Sequence, residues 1–204
     1  MISPKYHISH AKGEGNAIEI YLDYNCPFSG KMFRKLQDEL MPLVDAQGLT
    51  DKYQFIFVNV VQPWHGFQSS ILHDASLAVA KVKPDSFWDA SRALFDHIEE
   101  YYDSEVYDLT KRQLVEKISG LLADTCDIEK SQLISLIEPS ASIDGKPNNA
   151  GNAVAKDCKY FARYSRTMGI HMTPSVVVNG IYIPQIESST PVEQILEIME
   201  AQTS

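Results

Sequence analysis

One stretch near the N-terminus, from Ile18 to Phe33, constrains the fold more than any other part of the chain. Apolar and polar residues alternate from Ile18 to Leu22, which favours a strand. Pro27 suits the first position of a helix, where a missing N–H loses no hydrogen bond. Apolar residues then recur at the spacing of a helix face: Phe33, Leu36, Leu40, Leu43 and Val44. The pattern therefore predicts a strand, a short turn and a helix that begins at Cys26-Pro27.

Cys26 would lie at the N-cap of this helix, above backbone N–H groups that no helical carbonyl pairs. Those groups and the helix dipole favour a negative charge, so a thiol at this position loses its proton more easily than a free cysteine does. A lone cysteine is otherwise more often a buried, small apolar residue. The position between a strand and a helix, followed by Pro27, makes Cys26 the candidate nucleophile.

The remaining chain divides into a strand, a helical block and a second group of strands. The nearly continuous apolar run from Tyr53 to Val61 predicts a buried strand that is parallel to the first one. Residues 67–146 follow helical spacing for most of their length, which predicts an inserted helical block. Asn179-Gly180 lies between two apolar runs and predicts a hairpin. An additional edge strand is predicted at Tyr6 to His10, beside the first strand.

Charge and cysteine content exclude several classes of function. The net charge of −9 argues against nucleic acid and against anionic membrane surfaces, since both favour clustered Lys and Arg. No apolar run approaches the ~20 residues of a membrane span, and no known metal-ligand spacing occurs. Three cysteines do not make a disulfide framework, and the first residues lack the apolar core of a secretory signal. We therefore expect a cytoplasmic protein, with a processed precursor as the open alternative; the oligomeric state stays open.

Two motifs in this order resemble the signatures of DsbA-like thioredoxin-fold proteins. The first is Tyr24-Asn25-Cys26-Pro27, and the second is Thr173-Pro174 at the start of a Val-rich hairpin. The likeness covers nearly the whole chain and implies an α/β thioredoxin fold with a large all-helical insertion between the βαβ and ββα halves. Residues 1–66 and 147–204 would form the thioredoxin-like domain, and residues 67–146 the inserted helical subdomain. Monothiol glutaredoxins and kappa-class glutathione transferases resemble the chain less.

The resemblance also implies which residues form the site. Cys26 and Ser29 would be the catalytic residues, with a cis peptide bond before Pro174. An extended substrate segment would contact a set of flanking residues: Pro27, Phe28, His171, Thr173 and Pro174. His65 and Cys158 are secondary candidates. His65 could face the sulfur of Cys26, and Cys158 could resolve a disulfide only if the two Cα atoms lay within about 7 Å.

Ser29 departs from the family pattern, in which a second cysteine usually occupies this position. A Cys-x-x-Cys pair closes its own disulfide and so releases a bound substrate, whereas serine cannot. We therefore expect monothiol thiol–disulfide exchange or disulfide isomerisation through Cys26, on a peptide or glutathione disulfide, with a separate resolving thiol. No bound cofactor is expected, and glutathione is an optional co-substrate. The open alternatives are a glutathione-dependent transferase or isomerase of small molecules and a non-catalytic peptide-binding module.

Overall fold

The structure, a computed structural model, describes residues 1–140 and 146–203, so residues 141–145 of the predicted insert lie outside the described residues. Its strands are β1 (Ala11–Gly13), β2 (Asn16–Leu22), β3 (Tyr53–Asn59), β4 (Ser175–Val178) and β5 (Ile181–Tyr182). Its α-helices are α1 (Pro4–His10), α2 (Pro27–Lys35), α3 (Met41–Ala46), α4 (Gly66–Val82), α5 (Phe87–Asp96), α6 (Asp103–Val106), α7 (Lys111–Cys126), α8 (Lys130–Ile137), α9 (Ala155–Thr167) and α10 (Val192–Thr203).

The strands form one mixed sheet in the order β1-β3-β2-β4-β5. The central pair, β2 and β3, is parallel, as the βαβ pattern of the sequence predicts, and the other pairs are antiparallel. Asn179 and Gly180, with φ of 48° and 86°, form the turn between β4 and β5. Both residues therefore lie in the left-handed region that a two-residue hairpin turn of this type requires.

The helix after the motif runs from Pro27 to Ala46 in three pieces. Cys26 is the N-cap in extended conformation, and Pro27 occupies the first turn. A π turn at Leu36–Leu40 joins α2 to α3. Pro42 is the second residue of α3, and a proline inside a regular helix removes a hydrogen bond and clashes with the preceding turn. The sequence periodicity predicts the helix but not this local widening.

The prediction of an edge strand at Tyr6 to His10 is wrong, because this segment is the helix α1. Pro4 lies in its first turn, where proline favours a helix start. Tyr6 and His10, four residues apart, both pack their rings against Phe161 of α9, at 4.7 and 4.8 Å between centroids. The first strand is the shorter β1, and it pairs with β3 and not with β2.

The helical block from α4 to α8 packs against the sheet through an aromatic cluster. Phe57 of β3 contacts three rings of α5: Phe87, Trp88 and Phe95. Thr110 and Gln113 form the capping box that the sequence predicts at the start of α7. Within the described ranges, no helix is both long enough and apolar enough to cross a bilayer.

Candidate active site

Cys26 lies where the two sequence signatures meet. Its side chain is largely buried, and only 3% of the residue is exposed. The thiol donates a hydrogen bond to the backbone carbonyl of Thr173, with 3.4 Å between sulfur and oxygen. The peptide bond between Thr173 and Pro174 is cis, as the family resemblance implies. The fold thus brings the start of α2 against the segment that leads into β4.

Ser29 points its hydroxyl back toward the end of β2. The residue is fully buried, and its oxygen accepts a hydrogen bond from the backbone N–H of Asp23 at 3.3 Å. Among the described residues, no hydrogen bond joins this hydroxyl to the sulfur of Cys26. Ser29 therefore fixes the first turn of α2 to the strand, and residue 29 offers no thiol that could close a disulfide with Cys26.

Asp23, which follows the strand β2 directly, is a fully buried carboxylate three residues before Cys26. It accepts four hydrogen bonds: from the backbone N–H groups of Asn25 (2.9 Å) and Gln62 (2.7 Å), the ring Nδ1 of His65 (2.9 Å) and the hydroxyl of Ser69 (2.7 Å). These donors belong to three segments: the Cys26 turn, the β3–α4 loop and α4. Asp23 therefore holds the surroundings of Cys26 together.

The charge of Asp23 follows from these contacts. Burial alone would raise its pKa, but the hydrogen bond from His65 and the interaction with His73, whose Nε2 lies 3.6 Å away, hold the pKa well below its ordinary range. Asp23 is a site residue that the sequence alone did not indicate. The available signal was an acidic residue in the turn between the strand β2 and Cys26.

The β3–α4 loop contacts both the turn before Cys26 and the segment before Thr173. The side-chain amide of Asn25 donates to the carbonyl of His65 at 2.8 Å, and the side-chain amide of Gln62 donates to the carbonyl of His171 at 3.1 Å. Asn25 precedes Cys26, and His171 lies two residues before Thr173. The structure thus brings His65, a secondary candidate from the sequence, next to the Cys26 turn.

The helical block contributes Tyr102, which the sequence analysis missed. Burial and the charges of Glu99 and Cys26 raise the pKa of this tyrosine. The neighbouring Asp103 accepts a hydrogen bond from the side chain of Gln68 on α4 at 2.7 Å. Nothing in the local sequence around Tyr102 indicates this effect on its pKa, because the effect depends on how the block packs on the sheet.

Exposed apolar side chains flank the buried sulfur. Phe28 is 63% exposed and Met172 is 61% exposed, and Trp64 and Phe67 of the β3–α4 segment are also exposed. Each of these residues lies within two positions of Cys26, Thr173 or His65. Pro27 and His171, two further predicted binding residues, are exposed as well. The surface around Cys26 therefore presents apolar groups to solvent.

Two buried oxygen atoms beside Cys26 have no hydrogen-bond partner among the described residues. They are the side-chain Oδ1 of Asn25 and the hydroxyl Oγ1 of Thr173. Both residues are more than nine-tenths buried. Buried polar atoms are usually satisfied, so these two oxygen atoms leave hydrogen-bonding capacity unused in the residues that contact or adjoin Cys26.

The other two cysteines lie elsewhere. Cys158 of α9 lines an open groove of about 450 Å³ together with Ser70, Asp74 and Lys159. Burial, with the charges of Asp74 and Asp157, raises the pKa of Cys158 to about 11, and burial raises that of Cys126 to about 11 as well. All three cysteines are free thiols. The described residues also contain no group of three or more His, Cys, Asp or Glu that could hold a metal ion.

Comparison with known proteins gives several relatives, although no protein-family model matches the chain. The chain is 29% identical over 179 residues to Disulfide bond formation protein D of Bacillus subtilis, covering 86% of this chain and 68% of that protein. A candidate protein-disulfide isomerase from Pseudomonas syringae matches with a TM-score of 0.74 and 23% identity, over 95% of this chain and 99% of the other. Oxidised BdbD from Bacillus subtilis matches with a TM-score of 0.65 and 23% identity, over 96% and 93%.

Proposed function

Because this chain is a DsbA-like thioredoxin-fold protein, we propose that it catalyses thiol–disulfide exchange through Cys26 as its single reactive thiol. One observation carries the proposal. The sulfur of Cys26 lies at the N-cap of α2 and contacts the carbonyl of Thr173, while Ser29 occupies the position of a second cysteine. The substrate would be a peptide or glutathione disulfide, and a separate thiol would complete the reaction.

The reaction has two exchange steps. The thiolate of Cys26 attacks one sulfur of the substrate disulfide, the substrate S–S bond breaks, and its electron pair leaves with the other sulfur as a thiolate. A mixed disulfide then joins Cys26 to the substrate. Because Ser29 has no thiol, an external thiolate must attack this mixed disulfide. That second step breaks the bond to Cys26 and returns the protein to its starting thiolate.

The surroundings of Cys26 support a peptide as the substrate. The free acceptors of Asn25 and Thr173 match N–H donors of an extended main chain. The exposed side chains of Phe28 and Met172 match apolar substrate side chains. In this proposal Pro174 and His171 also contact the substrate, beside Thr173 and Met172.

The need for an external thiol suggests in which compartment the protein acts and which molecule is its partner. Small thiols such as glutathione are maintained in the reduced form in reducing compartments. We therefore keep the cytoplasm as the proposed location and glutathione as the first candidate for the resolving thiol. Cys158 is not needed in this scheme, because it lines a groove with residues other than those around Cys26.

Trapping the mixed disulfide tests the proposal. The protein is mixed with a fluorescent peptide disulfide, quenched in acid and measured by intact mass and peptide mapping. We expect one adduct per chain, located on Cys26, in the wild type and in the Cys126→Ser and Cys158→Ser controls. Cys26→Ser should form none. An adduct on another cysteine, or one that survives in Cys26→Ser, contradicts the proposed function.

A further inference from the structure

The second exchange step needs an attacking thiolate, which Ser29 cannot provide. Only a thiolate attacks a disulfide, and a thiol of ordinary pKa, about 8.5, is about 3% ionised at pH 7. A group that removes the proton of the incoming thiol would therefore raise the rate of this step by at most about 30-fold. A base near Cys26 would therefore accelerate the second exchange step, and His65 is a candidate for this base.

His65 has the geometry of an oriented base. Its Nδ1 lies 2.9 Å from Oδ2 of Asp23. A carboxylate accepts but does not donate, so Nδ1 carries the hydrogen and Nε2 of the neutral ring is the acceptor. The side chain of His65 is 17% exposed, and no residue of the described chain forms a hydrogen bond with its Nε2.

Hydrogen bonds to backbone carbonyls connect the loop of this histidine to the two segments that surround Cys26. The carbonyl of His65 accepts the side-chain amide of Asn25, whose next neighbour is Cys26. From the same loop, Gln62 contacts the segment that leads to Thr173. The loop that carries His65 therefore contacts both of the segments that surround Cys26.

The charges around the ring favour its role as a proton acceptor. Asp23 faces His65 from the turn after β2 and carries a negative charge at neutral pH, because its pKa is held well below its ordinary range. His73 of α4 lies on the other side of Asp23, with its Nε2 3.6 Å from Oδ1 of the carboxylate. His171 and Cys26 are titratable residues of the two segments that this loop contacts.

We propose that His65, oriented by Asp23, is the general base for the external resolving thiol. This inference rests on the proposed function. Nε2 takes the proton from the S–H of a small thiol of the glutathione class. The new thiolate attacks the substrate sulfur of the mixed disulfide, a substrate–thiol S–S bond forms, and the bond to Cys26 breaks with its electron pair on Cys26. The proton then leaves His65 to solvent. Asp23 acts as a positioning residue, because it fixes the tautomer and orientation of the ring.

The test isolates the second step. The mixed disulfide of Cys26 with a fluorescent peptide is formed first, excess reagent is removed, and release is followed at pH 7 after addition of a thiol. Two thiols are compared: glutathione, and a more acidic thiol that is already largely ionised at this pH. In His65→Gln we expect release by glutathione to slow by about 10- to 30-fold, while release by the acidic thiol changes less than twofold. His97→Gln, an exposed histidine far along the chain, is the matched control and should behave as the wild type.

A pH profile and chemical rescue separate a base from a structural role. In His65→Gln the glutathione rate should rise about tenfold per pH unit between pH 6 and 8, following ionisation of the free thiol, whereas the wild-type profile should be flatter. Added imidazole should restore part of the rate in His65→Ala. Equal slowing with both thiols, or no slowing in either variant, overturns the inference. If the wild type forms no mixed disulfide on Cys26, the proposed function itself fails, which is a different result.

Discussion

His10 should make the protein lose stability as the pH falls from 8 to 5. Its ring is fully buried and stacks on Phe87 and Phe161, at 4.0 and 4.8 Å between centroids. Nδ1 lies 2.7 Å from the hydroxyl of Ser9, and Nε2 lies 3.0 Å from Oδ1 of Asn59. Both ring nitrogens are thus used in the neutral form, and no carboxylate among the described residues forms a hydrogen bond with the ring.

The magnitude follows from proton linkage. Burial lowers the pKa of His10 to about 3, against the opposing effects of Asn59 and Asp157. In the unfolded chain a histidine has a pKa of about 6.5. Below pH 6.5 the unfolded state therefore binds a proton that the folded state does not. The free energy of unfolding consequently decreases as the pH decreases, until the pH reaches about 3. At pH 5 the free energy of unfolding is about 2 kcal/mol lower than at pH 8 because of His10.

Urea unfolding at pH 8 and pH 5 measures this loss. We compare the wild type with His10→Gln, which keeps a donor for Asn59 but does not titrate, and with His171→Gln, which removes an exposed histidine. The decrease in the free energy of unfolding between the two pH values should be smaller in His10→Gln by about 2 kcal/mol and unchanged in His171→Gln. An equal decrease in His10→Gln and the wild type refutes the assignment of a neutral, buried His10.

Three further predictions concern the candidate site. Ser29→Cys should form a disulfide with Cys26 on oxidation, because residues three apart at a helix start lie within disulfide reach. Intact mass measures the loss of both thiols. In this variant, release of a peptide adduct should no longer need glutathione. Asp23→Asn should lower the free energy of unfolding by about 2 kcal/mol, because an amide cannot accept all four hydrogen bonds; urea unfolding at pH 7 measures it, and an unchanged midpoint contradicts it. At pH 7, iodoacetamide should label Cys26 before Cys126 and Cys158, whose pKa values are raised to about 11; peptide mapping measures the order, and the denatured chain is the control.

Local chemistry explains why much of the fold is predictable from the sequence. The start of α2 depends on Pro27, and the β4–β5 turn depends on Asn179-Gly180. These signals act over a few residues, so the structure reproduces them. The family resemblance adds what local signals lack, namely the approach of Thr173 to Cys26.

Other features depend on contacts between distant segments and could not be predicted. Tyr6 to His10 contains residues that suit a strand, but the segment is a helix whose residues Tyr6 and His10 pack on α9. Asp23 stands beside the cysteine motif in the sequence, yet its partners come from the β3–α4 loop and α4. His65 was identified only as a secondary candidate, because its orientation requires the position of Asp23.

The lifetime of the mixed disulfide on Cys26 tests the central claim most directly. The adduct with a peptide is prepared, and its decay at pH 7 is followed by fluorescence with and without glutathione. Since no second thiol lies at residue 29, we predict that the adduct persists without glutathione and is released when glutathione is added. Release at the same rate without any added thiol would contradict the monothiol account.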